Sequence, residues 1–245
     1  VHPRWTSGPR ALTLVRHGES VGNQADQAAR EAGAEELELT VRDADVELSD
    51  TGQQQAEALG RWMADASEEL RPTLVISSPY RRAAQTAEVA AARAGLPVWF
   101  DERLRERDLG AFDGLTGRGI RARHPEESAR RTRLGKFYYQ PPSGESWADV
   151  VLRVRSLLAD LRHGYDGERI WMFSHQAVIM TFRYALEGIR EPDLLEIDRE
   201  VQIPNASMTR YRRDERDGGS FVLETFADTE AVARTEATVT EEDPR

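Results

Sequence analysis

Short, wholly apolar runs alternate along this chain with longer stretches whose apolar residues recur every three or four positions. Ala11–Val15, ending at Arg16, reads as a buried strand, and so do Thr73–Ser77, Val98–Phe100 and Ile170–Phe173. Ser49–Ala66 carries Ala56, Leu59 and Met63 on one stripe and reads as a surface helix. Ser78-Pro79 predicts the next helix start, with Ser as N-cap and Pro at the first helical position; Gly95 and Pro97 close that helix. The clearest helix begins at Ser146, where Trp147, Val150, Val151, Val154, Leu157, Leu158 and Leu161 form one apolar face, and Gly164 and Gly167 end it. Val178–Leu186 is a further apolar helix, and one more is expected around Gly119–Arg133. Met208–Tyr211 and Phe221–Phe226 predict a hairpin about Gly218-Gly219.

Strands alternating with helices predict one α/β domain: a mostly parallel sheet with helices on both faces. Its expected limits are residues 11–226, after a flexible lead-in over 1–10 and before an acidic, disordered tail over 227–245. Polar insertions at 24–47 and 107–145 would cap the sheet. The composition suits this, with 39% hydrophobic and 31% charged residues.

A net charge of −10 argues against nucleic acid or an anionic membrane as partner, so an anionic ligand would need a local positive pocket. The chain has no cysteine, which excludes disulfides, thiolate catalysis and cysteine-based zinc sites. Nothing in Val1–Arg10 resembles a signal peptide, and a cytoplasmic location is expected.

Ligands of open parallel sheets bind beyond the carboxyl ends of the strands. Arg16-His17-Gly18-Glu19-Ser20 leaves the first strand there, and Ser174-His175-Gln176 leaves a later one. Arginine offers phosphate a planar fork of donors, glycine permits close backbone approach, and an imidazole of fixed tautomer is a nucleophile. Alone, an Arg-His-Gly triplet is a weak signal.

The triplet stands in the first of six ordered segments: LVRHGES, Asn23, SSPYRRAAQTA, LRERDLGAFDG, the GES at 144–146 and FSHQAV. With them the chain, over roughly residues 11–225, resembles the histidine phosphatase superfamily, which includes cofactor-dependent phosphoglycerate mutases and the bisphosphatase acting on fructose 2,6-bisphosphate. The resemblance implies a phosphoglycerate-mutase-like fold and a metal-independent phosphatase for a small phosphorylated metabolite, with no cofactor and a phosphohistidine intermediate. It makes His17 the nucleophile, Glu106 the proton donor, and Arg16, Arg82 and His175 the phosphate ligands, with Asn23 and Gln176 beside phosphate or substrate. Arg82 rather than Arg81 is chosen because the family arginine directly precedes the alanine. Two arginines and a cationic histidine would stabilise the transferring group, while Glu106 protonates the leaving oxygen and then deprotonates water.

Other residues carry plainer readings. His2, His124 and His163 read as lead-in, surface and helix-end residues, and Trp147 as core. Phe137-Tyr138-Tyr139 either pins a loop to the core or lines the pocket mouth. Gln176 stands where the family commonly has glycine, and residues 24–47 are a longer connection than usual. The glycolytic mutases use a long insertion before the GES segment to close the pocket; here Gly114–Gly144 is short, and Ala129-Arg130-Arg131 lacks their tryptophan before paired arginines. Hydrolysis is therefore expected over mutase activity or non-catalytic phospho-ligand binding. No nucleic-acid or membrane partner is expected, and a homo-oligomer stays open.

Overall fold

In the computed structural model, which describes Trp5 and residues 7–241, strand β1 (Ala11–Arg16) lies inside the sheet. It pairs in parallel with β4 (Arg169–Ser174), which pairs with β2 (Leu74–Ser77), which pairs with β3 (Val98–Phe100). On its other side β1 pairs antiparallel with β5 (Met208–Asp214), which pairs antiparallel with β6 (Ser220–Asp228) in a hairpin. The sheet order is β3-β2-β4-β1-β5-β6.

Period-2 alternation divides the core between the two faces. Leu12, Leu14, Ile170 and Met172 pack with α6 (Trp147–Leu161) and α7 (Gln176–Glu187). Val15, Trp171 and Phe173 pack with α2 (Asp50–Asp65) and α3 (Arg81–Ala94). Every apolar residue of the stripe predicted from Trp147 to Leu161 is buried. Burial on both faces explains why these strands read as continuous apolar runs.

Five expectations are corrected. Helix α3 starts at Arg81 after Tyr80, because the Ser78 hydroxyl accepts the Tyr80 N–H and contacts His175 instead of capping the helix. The helix expected over 119–133 is two, α4 (Gly117–Arg123) and α5 (Pro125–Leu134), since Pro125 lacks an N–H and biases His124 away from helical backbone. A further helix, α8 (Glu191–Glu200), was not anticipated; apart from Leu194 and Asp198 its residues are not buried. The lead-in is not wholly loose: Trp5 is core, edge-to-face with Phe221 at 5.1 Å, while His2 lies outside the described residues. The tail is ordered through residue 241: α9 (Glu230–Ala233) buries Ala231 and Val232 against the α2 side, and Gln55 Nε2 donates to the Thr238 carbonyl at 2.8 Å. The remaining helix, α1 (Val21–Glu31), follows β1 directly. No helix of the described residues is long and apolar enough to cross a membrane.

Candidate active site

Strands β2, β4 and β1 are neighbours running the same way, so their carboxyl ends share one edge of the sheet. The register sets Arg16 beside Ser174, and Ser77 beside Phe173. The next residues, His17, His175 and Ser78, therefore meet, with the two imidazole centroids 5.1 Å apart. Convergence follows from strand pairing alone.

Each group is held by its own surroundings. The His17 N–H donates to the Ser174 carbonyl, and its carbonyl accepts from the Ala206 N–H and from Asn205 Nδ2. His17 Nδ1 lies 2.7 Å from the Gly18 carbonyl. A carbonyl can only accept, so Nδ1 carries the proton and Nε2 keeps its lone pair. Arg16, 2% exposed, donates from Nη1 to the Ile203 carbonyl.

His175 is fully buried, with Nε2 2.9 Å from the Ser78 hydroxyl and Nδ1 without a hydrogen-bond partner. Burial holds its pKa well below the ordinary histidine range, and Arg82, His17, Arg153 and Arg16 push it the same way. The expected cationic histidine is thus neutral. Ser78 Oγ accepts the Tyr80 N–H and still has its own proton to give; when that proton goes to His175 Nε2, Nδ1 is the N–H donor.

One pocket of about 620 Å³ is lined by Arg16, His17, Asn23, Arg82, Glu106 and Gln176, six of the seven expected residues. Asn23 holds the start of α1: its Oδ1 accepts the Ser20 N–H in a capping box. Gln176 opens α7, and Nε2 donates to Gln202. Arg82 is buried, whereas Arg81 is exposed beside Glu47, as the choice between them anticipated. Glu106 is half-buried, and desolvation pushes its carboxyl above the ordinary glutamate range, against the Arg107 N–H and the attraction of Arg82.

Several contributors were not foreseen. Arg153 donates to the carbonyls of Arg103 and Glu106 and pairs with Glu145, which also accepts the Asp108 N–H. The glutamate of the GES segment thereby anchors the loop that carries Glu106. Asp43, Tyr80, Arg131, Lys136 and Gln202 also line the pocket. Tyr80, inside SSPYRRA, had a motif to flag it; the others had none. Of the aromatic cluster, Phe137 and Tyr139 are buried and Tyr138 is 58% exposed, and none lines the pocket, so the cluster pins a loop. His124 lies tilted against Phe112 and His163 is exposed; neither lines the pocket. Among the described residues, no three His, Asp or Glu side chains are grouped to hold a metal ion.

The glycine of the first motif serves packing. A Cβ on Gly18 would lie 2.7 Å from the Gly52 carbonyl oxygen, and one on Gly52 would lie 1.9 Å from that of Glu19. Strand exit and helix α2 thus touch backbone to backbone. Gly52→Ala is expected to cost at least about 2–3 kcal/mol, the upper range for overpacking. Gly95→Ala, with φ +68° but no atom within 4 Å, should cost about 1 kcal/mol. Urea unfolding measures both; equal losses would show that the contact at Gly52 relaxes freely.

The sheet order, the strand-end histidines and the pocket define a single α/β domain of the phosphoglycerate-mutase-like type. A family model of the histidine phosphatase superfamily, branch 1, matches residues 12–229, and the chain belongs to that superfamily. It is 33% identical over 171 residues to 6-phosphofructo-2-kinase/fructose-2,6-bisphosphatase of Gallus gallus, covering 70% of this chain and 31% of that one. It is 36% identical over 152 residues to glucosyl-3-phosphoglycerate phosphatase of Mycobacterium tuberculosis, covering 62% and 60%. A solved mycobacterial glucosyl-3-phosphoglycerate phosphatase in complex with inorganic phosphate superposes with a TM-score of 0.70 at 27% identity, over 90% of this chain and 98% of that one. The chain therefore spans less than two thirds of the length of either curated relative.

Proposed function

We propose that the protein is a phosphoric monoester hydrolase that transfers a phosphoryl group from a small metabolite to His17 and then to water. One observation carries this reading: Nδ1 of His17 is bound to the Gly18 carbonyl, so Nε2 is the unprotonated ring nitrogen, and His17 lines one pocket with Arg16, Arg82 and Glu106. Nε2 would attack phosphorus in line while Glu106, whose acid form is favoured by desolvation, gives its proton to the departing alcohol oxygen. The carboxylate left behind would take a proton from water as that water attacks phosphohistidine. Arg16 and Arg82 would neutralise the equatorial oxygens, and Nδ1–H of neutral His175 would donate to one of them, satisfying its orphaned position. Membership of the superfamily and the phosphatase relatives support the reaction class. The polar pocket, lined also by Arg131, Lys136 and Gln202, supports a small, hydrophilic substrate.

A cofactor-dependent mutase is the second reading, and one observation favours it: Leu37, Leu39 and residues 41–44 build a wall of the pocket from the long insertion. A mutase must keep water from its phosphohistidine. Phosphate release from a panel of phosphorylated metabolites is expected to exceed interconversion of 3- and 2-phosphoglycerate, with or without 2,3-bisphosphoglycerate priming. Primed interconversion faster than every hydrolysis in the panel would reverse the assignment.

A further inference from the structure

Arg82 is already engaged. Its Nη1 donates to the Asp43 carbonyl at 2.7 Å and to Asp43 Oδ1 at 2.8 Å, and Nη2 donates to Oδ2 at 3.2 Å. This is the two-pronged grip a guanidinium gives an oxyanion. The arginine side chain is 7% exposed and the aspartate 40%, so the carboxylate reaches down from the solvent side. Asp43 opens a 3₁₀ turn, Asp43–Asp45, that has no side-chain cap. Beyond the turn Val46 is buried, while Val41, before it, is 52% exposed. The turn is anchored on one side by Val46 and exposed on the other at Val41.

We propose that Asp43 is a specificity-determining residue, its carboxylate standing in for a phosphoryl group on Arg82 so that a ligand must bring a phosphate dianion to displace it. This rests on reading Arg82 as a phosphate ligand. The internal carboxylate carries one charge but is tethered, which gives it a high effective concentration. A phosphate monoester carries nearly two charges and three acceptor oxygens, and it can also engage Arg16 and His175. It wins the exchange. A carboxylate or a phosphodiester brings a single charge and has nothing to offset the lost pair. Residues 41–45 swing away from Arg82 when the dianion binds, which couples the pocket wall to the charge of what enters.

The test measures binding of inorganic phosphate and of dimethyl phosphate, a monoanion, by calorimetry near neutral pH. Wild type, Asp43→Asn, Asp43→Ser and Glu68→Gln are compared; Glu68 is exposed and does not line the pocket. Both Asp43 variants should bind phosphate about tenfold more tightly, as expected if Arg82 is free about a tenth of the time in the wild type. They should also gain measurable affinity for dimethyl phosphate, while Glu68→Gln matches wild type. Unchanged or weaker phosphate binding in both Asp43 variants, with wild type binding normally, would overturn the proposal and make Asp43 a mere support for Arg82. Absence of phosphate binding in wild type and variants alike would overturn the reading of the pocket itself.

Discussion

Replacing His17 with alanine is expected to lower turnover of every phosphate ester by about 10⁴-fold or more, the scale on which loss of a nucleophile acts. No neighbour can substitute. His175 is the nearest imidazole, but its Nε2 is committed to Ser78 and it is fully buried. The alanine fits the site without strain, since the backbone at residue 17 is held by Ser174, Asn205 and Ala206 rather than by the ring. A labelled ester should give wild-type protein an acid-labile, base-stable adduct, the behaviour of a phosphoramidate, and the variant should give none. Turnover should survive a chelator, because the arginines supply the positive charge. An adduct that persists in His17→Ala, or activity abolished by EDTA and restored by a divalent metal, would end the mechanism.

Glu106→Gln should slow hydrolysis of alkyl esters by about 10²-fold or more, the usual worth of a general acid, and that of aryl esters such as p-nitrophenyl phosphate much less. Good leaving groups depart without a proton. The sign of the pH dependence follows from burial, which raises the Glu106 carboxyl above the ordinary range and extends its acid form to higher pH. Wild-type kcat/KM on alkyl esters should fall as pH rises through that raised value, and the glutamine variant should lack this limb. Equal losses on both ester types would move the acid to Asp108, which lines the same pocket but is exposed and already accepts the Gly110 N–H.

What could be read without coordinates was what depends on neighbours along the chain. The stripe from Trp147 to Leu161 and the helix start at Ser146 are properties of one helix, and both stand as predicted. The runs at Ala11–Val15 and Ile170–Phe173 needed only the rule that a strand covered on both faces is apolar throughout. Parallel strands share an edge, so the meeting of His17 with His175 was legible too. The expectations that failed turned on contacts between distant parts. Ser78 had the chemistry of a helix cap, but its hydroxyl was claimed by His175 from another strand. Trp5 and the segment after Asp228 looked loose because their partners, Phe221 and Gln55, lie far away in the sequence. The neutrality of His175 likewise belongs to the tertiary structure, since desolvation depends on everything packed around the ring. So does the grip of Asp43 on Arg82: nothing in a polar insertion says which buried cation it will reach. The sequence by itself determined most of the elements, the strand ends and the residues that stand there, because periodicity and motif are local; charge state, hydrogen-bond partners and the partner of Arg82 were decided where the folded chain brought remote groups within reach.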